Sequence, residues 1–135
     1  MAGKARVAGT VVAGFPSPAE QYLEPPLDLN ELLVKRPAAT YFVRVEGDSR
    51  VGAGIRPDDL LVVDRSLTPV DGDVIIAAVD GEFTVKRLRI EAAEKGGRRK
   101  VYSLEPANDA YPVIRLKSGS ELDFFGKVTA VIHRM

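Results

Sequence analysis

The chain has 135 residues, the length of one domain, and hydrophobic residues make up 45% of it, enough for one packed core. Its 19 basic and 19 acidic residues balance, which argues against a nonspecific grip on nucleic acid, although residues 95–100 form a local basic patch. The absence of cysteine excludes disulfides and thiolate catalysis, and a single histidine, His133, excludes a multi-histidine metal site, so we expect no metal and no cofactor.

Residues 1–26 are rich in alanine, glycine and proline and are predicted to form an extended arm, because proline removes backbone donors and disfavours helix. The stretch "VAGTVVAGF" in this arm is only a weak signal-peptide candidate. No apolar run approaches the roughly 20 residues of a membrane span. We therefore expect a cytoplasmic protein with a flexible arm over residues 1–27 and a β-rich domain over residues 28–135.

One short helix is predicted directly after the arm, in "LDLNELLVKR". Asp28 is a suitable N-cap, and Glu31 three residues later completes a pattern that resembles a capping box. Pro37 is expected to end the helix, since proline cannot continue it.

The remaining chain has the signals of β-structure, with short apolar or β-branched runs between turn residues. Asp80-Gly81 between two such runs is a strong hairpin signal. "EAAEKGGRRK" is expected to be a polar loop or a ragged hairpin end. The predicted strands lie in "TYFVRVE", "LLVVD", "DVIIAAVD", "EFTVKRLRI", "KVYSL", "YPVIRL" and "DFFGKVTAVIHRM". The sequence thus predicts one compact, mostly β domain.

Two residues of this domain suggest chemistry when they are considered together. Ser49 follows Gly47 and Asp48, which is ordinary turn chemistry, so taken alone it is a turn serine. Strand alternation places Lys86 on the face of Leu88 and Ile90. Burial on an apolar face penalises a charged lysine and favours the neutral amine, which is a general base. The alternative is that the amine extends from the strand end to water.

On the other face of the same strand, Arg87 and Arg89 are expected to point outward. A serine and a neutral lysine form a known variant of the Ser-His-Asp arrangement. Such a dyad needs neither cysteine, which this chain lacks, nor histidine, which it has only once.

Several blocks of the sequence resemble the UmuD-type SOS mutagenesis proteins, whose fold is shared with the self-cleaving domain of LexA-like repressors. The blocks are "AGFPSPAEQY", "DLNELLVKRPAATYFVRVEGDS", "GAGIRPDDLLVVDRSLTPVDGDVIIAAVDGEFTVKRL" and "FFGKVTAVIH". They occur in the family's order and extend over almost the whole chain, and the spacing of Ser49 and Lys86 also matches.

The resemblance implies a function for the residues that match. Ser49 would be the nucleophile, Lys86 the general base, and the bond between Ala13 and Gly14 the scissile bond. It also implies self-cleavage stimulated by RecA filaments on single-stranded DNA. The processed chain would form a homodimer that serves a UmuC-type polymerase in translesion synthesis, without strong DNA binding of its own.

The chain departs from the family at Arg50, where the usual residue after the nucleophile is methionine. Arg50 is expected to be either a solvent-facing substitution or a mark of altered regulation. The alternatives to a self-cleaving protease are a non-cleaving binding module of the polymerase, a fragment of a LexA-like prophage repressor and, last, an enzyme resembling signal peptidase. His133 is expected to be structural or solvent-exposed and Asp48 to be structural. The loop at residues 94–100 is expected to be a solvated turn rather than a contact for DNA or RecA.

Overall fold

The computed structural model describes residues 5–6, 25–46, 54–106, 114–115 and 122–135. The chain forms two compact units, residues 1–35 and residues 36–135. In the first unit, β1 (Ala5–Arg6) pairs antiparallel with β2 (Pro26–Leu27), and α1 (Leu29–Leu33) follows β2.

The predicted short helix begins where expected and ends earlier than expected. The carboxylate of Asp28 accepts a hydrogen bond from the backbone N–H of Asn30 at 3.0 Å, which confirms Asp28 as the N-cap. The helix ends at Leu33, where Val34 closes it with an N–H donated to Asn30 O. The prediction that Pro37 ends the helix was therefore wrong. Pro37 instead begins a separate 3₁₀ turn, Pro37–Ala39. The first position of a helical turn needs no N–H donor, so proline fits there.

The second unit is built on one antiparallel sheet of seven strands in the order β3-β4-β9-β5-β6-β7-β8. Every run predicted to be a strand contributes one, which confirms the mostly β fold class. The strands are β3 (Thr40–Arg44), β4 (Leu60–Asp64), β5 (Val74–Val79), β6 (Glu82–Ala92), β7 (Lys100–Pro106), β8 (Ile114–Arg115) and β9 (Leu122–Ile132).

The hairpin between β5 and β6 has the turn that its sequence predicts. Val79 and Glu82 are paired, and the two residues between them, Asp80 and Gly81, have φ values of 49° and 87°. Positive φ at both positions defines a type I′ turn, whose twist matches that of the flanking strands. This turn fixes the register of β6, and with it the position of Lys86.

The sheet carries a cluster of buried side chains on each face, because alternate residues of β5 point to opposite sides. Ile76 belongs to the first cluster, with Val45, Ile55, Leu61 and Val63. The second cluster comprises Ile75, Ala77, Leu88 and Leu104. A central strand buried on both faces explains why "VIIAAV" is continuously apolar instead of alternating.

Two buried carboxylates stabilise the ends of β4. Asp64 accepts hydrogen bonds from the hydroxyl and N–H of Ser66 and from Arg36, and these outweigh burial to hold its pKa below the ordinary value. Burial alone would raise the pKa of Asp59. Hydrogen bonds from the N–H of Arg56 and from His133, with the charges of both residues, lower it overall. The contact with Asp59 confirms the structural role predicted for His133.

These two lowered pKa values predict acid-sensitive folding. A carboxylate with a lower pKa in the folded than in the unfolded chain stabilises the fold above its unfolded pKa, and this stabilisation is lost as pH falls through the folded value. Urea unfolding followed by circular dichroism should give a constant free energy of unfolding from about pH 7 to 5 and a decline below about pH 4. Asp64→Asn should be less stable at neutral pH and show a shallower decline. Equal stability at pH 7 and pH 3 would contradict this role.

Candidate active site

Lys86 lies in the middle of the sheet, on β6, directly opposite Ile75 of β5 and Pro106 of β7. Residues directly opposite one another in antiparallel strands share a face, so Lys86 shares the face of the second cluster with Leu88. Its side chain is half-buried. The prediction that alternation places this lysine on an apolar face is confirmed.

The other face of β6 is less exposed than predicted. Arg87 and Arg89 were expected to point outward, but both side chains are half-buried. The guanidinium of Arg87 donates to Gly72 O at 2.8 Å, and that of Arg89 donates to a carboxylate oxygen of Glu105 at 2.8 Å. Val85 on the same face packs against the first cluster. Alternation therefore identified the faces correctly, but it could not show that both are covered.

Lys86 lines a cleft of about 950 Å³ in the second unit. This volume is that of a pocket for a small molecule or a short peptide segment. Most of the wall is apolar and comes from strands β3, β5, β6 and β9. The apolar side chains include Tyr41, Val43, Val45, Ile76, Val85 and Phe125, and the charged ones are Arg44, Glu46, Arg65 and Lys86.

Described residues before and after the segment that contains Ser49 are joined by hydrogen bonds, and the first of them, Val45, lines this cleft. Val45 donates its N–H to Asp59 O and accepts the N–H of Asp58, both at 2.9 Å, which closes the chain on itself between residues 46 and 57. Val45 and Ile55 are buried in the first cluster. Ser49 follows Glu46, a wall residue of the cleft, by three positions, so an extended chain would carry it at most about 11 Å further.

The remaining predicted site residues lie outside the described residues. This applies to the proposed nucleophile Ser49, to its neighbours Asp48 and Arg50, and to the proposed scissile pair Ala13 and Gly14. Their roles remain predictions. The structure shows the position of the proposed base and the anchoring of the segment that carries the proposed nucleophile.

Two other titratable groups near the cleft have structural partners. The hydroxyl of Tyr41 donates to Phe125 O at 2.6 Å, and burial raises its pKa, while the charge of Arg65 opposes that rise. The phenol is thus held protonated as a donor. His133 is paired with Asp59 and is absent from the cleft wall. In the described part of the wall, the remaining titratable groups besides the arginines are Lys86 and Glu46.

Sequence reasoning missed an aromatic pair at the cleft. The rings of Phe83 and Phe125 lie 4.8 Å apart with a tilt of 53°, and 71% of Phe83 is exposed. Tilted aromatic pairs of this kind are favourable. The sequence contains no signal for this pair, because Phe83 and Phe125 are far apart in the chain and belong to no common motif. They meet because β9 lies beside β5, the neighbour of β6.

In the part of the chain that the structure describes, no three histidine or acidic side chains are grouped so that they could hold a metal ion. The helical segments of the same part include none that is long and apolar enough to cross a membrane.

Comparison with known proteins gives matches over most of the chain. The model of the peptidase S24-like family matches residues 6–129. Protein SamA of Salmonella typhimurium is 48% identical over 90% of this chain and 79% of its own length. Protein ImpA of Escherichia coli is 49% identical over 90% of this chain and 78% of its own. Protein MucA of Escherichia coli is 42% identical over 88% and 77%. These matches confirm the resemblance drawn from the sequence blocks: the chain belongs to the peptidase S24-like family.

Proposed function

We propose that this protein is a self-cleaving serine endopeptidase in which Ser49 is the nucleophile, Lys86 the general base and Ala13–Gly14 the bond that is cut. The observation that carries the proposal is that Lys86 and Glu46 line the same cleft. Lys86 is half-buried in a wall that also contains Glu46, the residue from which the chain enters the segment with Ser49. Membership of the peptidase S24-like family supports the assignment.

The proposed reaction proceeds through an acyl-enzyme. The neutral amine of Lys86 takes the proton of the Ser49 hydroxyl as Oγ attacks the carbonyl carbon of Ala13. The C–N bond to Gly14 breaks, and the amine of Gly14 leaves with the proton that Lys86 returns. Water then hydrolyses the ester between Ser49 and Ala13, which restores Ser49 and leaves Ala13 as a carboxylate. Backbone N–H groups of residues 47–49 are the proposed donors to the oxyanion.

The walls of the cleft fit an uncharged peptide segment as substrate. A peptide segment bound in the cleft would cover the amine of Lys86, which lines it, and would exclude water from it. The small side chains of Ala13 and Gly14 would let the arm approach the strand edges closely. On this proposal residues 1–27 act as the arm that delivers the substrate and residues 28–135 as the peptidase domain.

We further propose that the cytoplasmic processed chain forms a homodimer that acts as the accessory subunit of a UmuC-type translesion polymerase, and that RecA filaments on single-stranded DNA stimulate cleavage. The resemblance to UmuD-type SOS mutagenesis proteins supports these partners. The reaction needs no metal and no cofactor, since the serine and lysine supply both nucleophile and base.

Intact mass measured against time tests the proposed cut. The purified chain should yield a product that begins at Gly14, faster at raised pH, with or without RecA, ATP and single-stranded DNA. Ala13→Trp, which places a bulky ring beside the reacting carbonyl but changes no proposed catalytic group, should slow the cut strongly. If the chain stays intact at every pH and with RecA filaments, the protease assignment fails, and a non-cleaving subunit of the polymerase becomes the better description.

A further inference from the structure

The hairpin formed by β6 and β7 extends beyond the body of the sheet as a two-stranded ribbon. Its last pair of buried residues is Leu88 and Leu104, and four further pairs follow, up to Ala92 and Lys100. Arg89 and Ile90 still contact Asp71, and Ser103 pairs with β8, so the outer two pairs, about 7 Å of ribbon at 3.4 Å per residue, extend beyond these contacts. Residues 91–100 are all exposed, so the outer ribbon has no core of its own to protect.

The tip of this ribbon concentrates positive charge in a chain that is neutral overall. Residues 95–100 include Lys95, Arg98, Arg99 and Lys100 and contain no carboxylate. Within the described part of the chain, no ion pair neutralises any of these four cations. A surface element that only needed solubility would tolerate mixed charges, so four cations within six residues, with no ion pair among the described residues, indicate an anionic partner.

Strand alternation gives the ribbon two chemically different faces. Lys100 and Tyr102 lie on one face, opposite Ala92 and Ile90, and the paired positions of this face from Leu88 to Ala92 and from Lys100 to Leu104 include no acidic residue, although Glu94 lies in the tip turn and Asp71 accepts the N–H of Ile90. The carboxylates of Glu91 and Glu105 fall on the other face. Tyr102 is 44% exposed although it is aromatic. One face therefore presents an exposed aromatic ring beside cations.

We propose that this face, defined by Tyr102, Lys100 and the cations of the tip, binds single-stranded nucleic acid. Phosphates would contact the cations, and an unpaired base would stack on the ring of Tyr102, the combination by which many proteins bind single strands without sequence preference. An acidic protein surface would use the cations but give the exposed ring no partner. The proposal is independent of self-cleavage, and it is compatible with a neutral chain because the contact is local and weak.

Fluorescence anisotropy with a labelled oligothymidine tests the proposal on the full chain carrying Ser49→Ala, which keeps the protein in one form. We expect a dissociation constant of about 10⁻⁴–10⁻⁶ M near physiological salt. Its logarithm should depend on that of the salt concentration with a slope of magnitude about 3, as four phosphate contacts would give. Arg98→Ser with Arg99→Ser should halve that slope. Lys35→Ser with Arg134→Ser, which removes two exposed cations elsewhere, should leave it unchanged.

Stacking is tested separately from charge. Tyr102→Phe should retain binding, whereas Tyr102→Ser should weaken it about fivefold or more at constant salt slope. Polyglutamate of equal charge should compete poorly, and duplex DNA should bind less well than the single strand. Backbone resonances of residues 94–102 should shift on titration, a readout that needs no variant. The proposal would be overturned if the oligothymidine failed to bind at low salt, or if Lys35→Ser with Arg134→Ser reduced the salt slope as much as Arg98→Ser with Arg99→Ser. It would also be overturned if polyglutamate competed as well as a single-stranded oligonucleotide.

Discussion

Lys86→Met is expected to slow release of the arm by about 10²–10⁴-fold, the contribution of a well-placed general base. Methionine keeps an unbranched apolar stem close to that of lysine, one atom shorter, but cannot accept a proton. Because Lys86 is half-buried beside Ile75 and Leu88, the substitution should not destabilise the sheet. Intact mass against time measures the rate, and urea unfolding checks that the fold is retained.

The same experiment distinguishes the dyad from other assignments. A lysine acts as a base only when neutral, so the rate of the unchanged chain should rise with pH. Lys35→Met, a matched change at an exposed lysine, should keep both rate and pH dependence. If Glu46→Gln stops cleavage while Lys86→Met does not, the carboxylate in the cleft is the base and the assignment of Lys86 is wrong.

Ser49→Ala gives the second comparison for the dyad. It should abolish the product beginning at Gly14, and combining it with Lys86→Met should cost no more than either change alone, because residues that act as a unit are not additive. Multiplicative losses would show that the two side chains act independently.

Gly126→Ala is expected to destabilise the protein by about 1–3 kcal/mol, the usual range for forcing an extra carbon into a packed core. Gly126 has a φ of 153° and lies on β9 between β4 and β5, next to the point where the pairing of β9 with β5 shifts register. A Cβ at this position would overlap Cγ1 of Val63 and lie 3.2 Å from the carbonyl oxygen of Asp64. Neither atom can move away freely, because the Val63 side chain is fully buried and the Asp64 oxygen belongs to the backbone.

Thermal and urea unfolding measure this effect. Gly126 follows Phe125, which lines the cleft and whose carbonyl accepts a hydrogen bond from the hydroxyl of Tyr41. Displacement of β9 should therefore also slow self-cleavage. Gly97→Ala is the matched control: it adds the same atom at the exposed hairpin tip, where the nearest contact is the Glu94 carbonyl at 3.3 Å, and should change stability by less than about 0.5 kcal/mol. Equal losses from both substitutions would show that Gly126 is not held by this packing.

Local patterns were sufficient for the elements themselves. Asp80-Gly81 predicted the tight turn, the apolar runs predicted the strands, and alternation placed Lys86 with Leu88, because each of these depends on neighbours in sequence. The end of the helix was misplaced at Pro37, since a proline shows only where a helix cannot continue and the chain had already turned at Val34.

The sequence by itself determined the strand composition, the face of Lys86 and, through its blocks, the family. The tertiary structure decided which strands are neighbours. It placed β9 between β4 and β5, brought Phe83 to Phe125, covered the second face of β6, and joined Val45 to Asp58 and Asp59. These contacts join residues far apart in the chain, and their free energy comes from burial and pairing across the whole sheet, which no local pattern records.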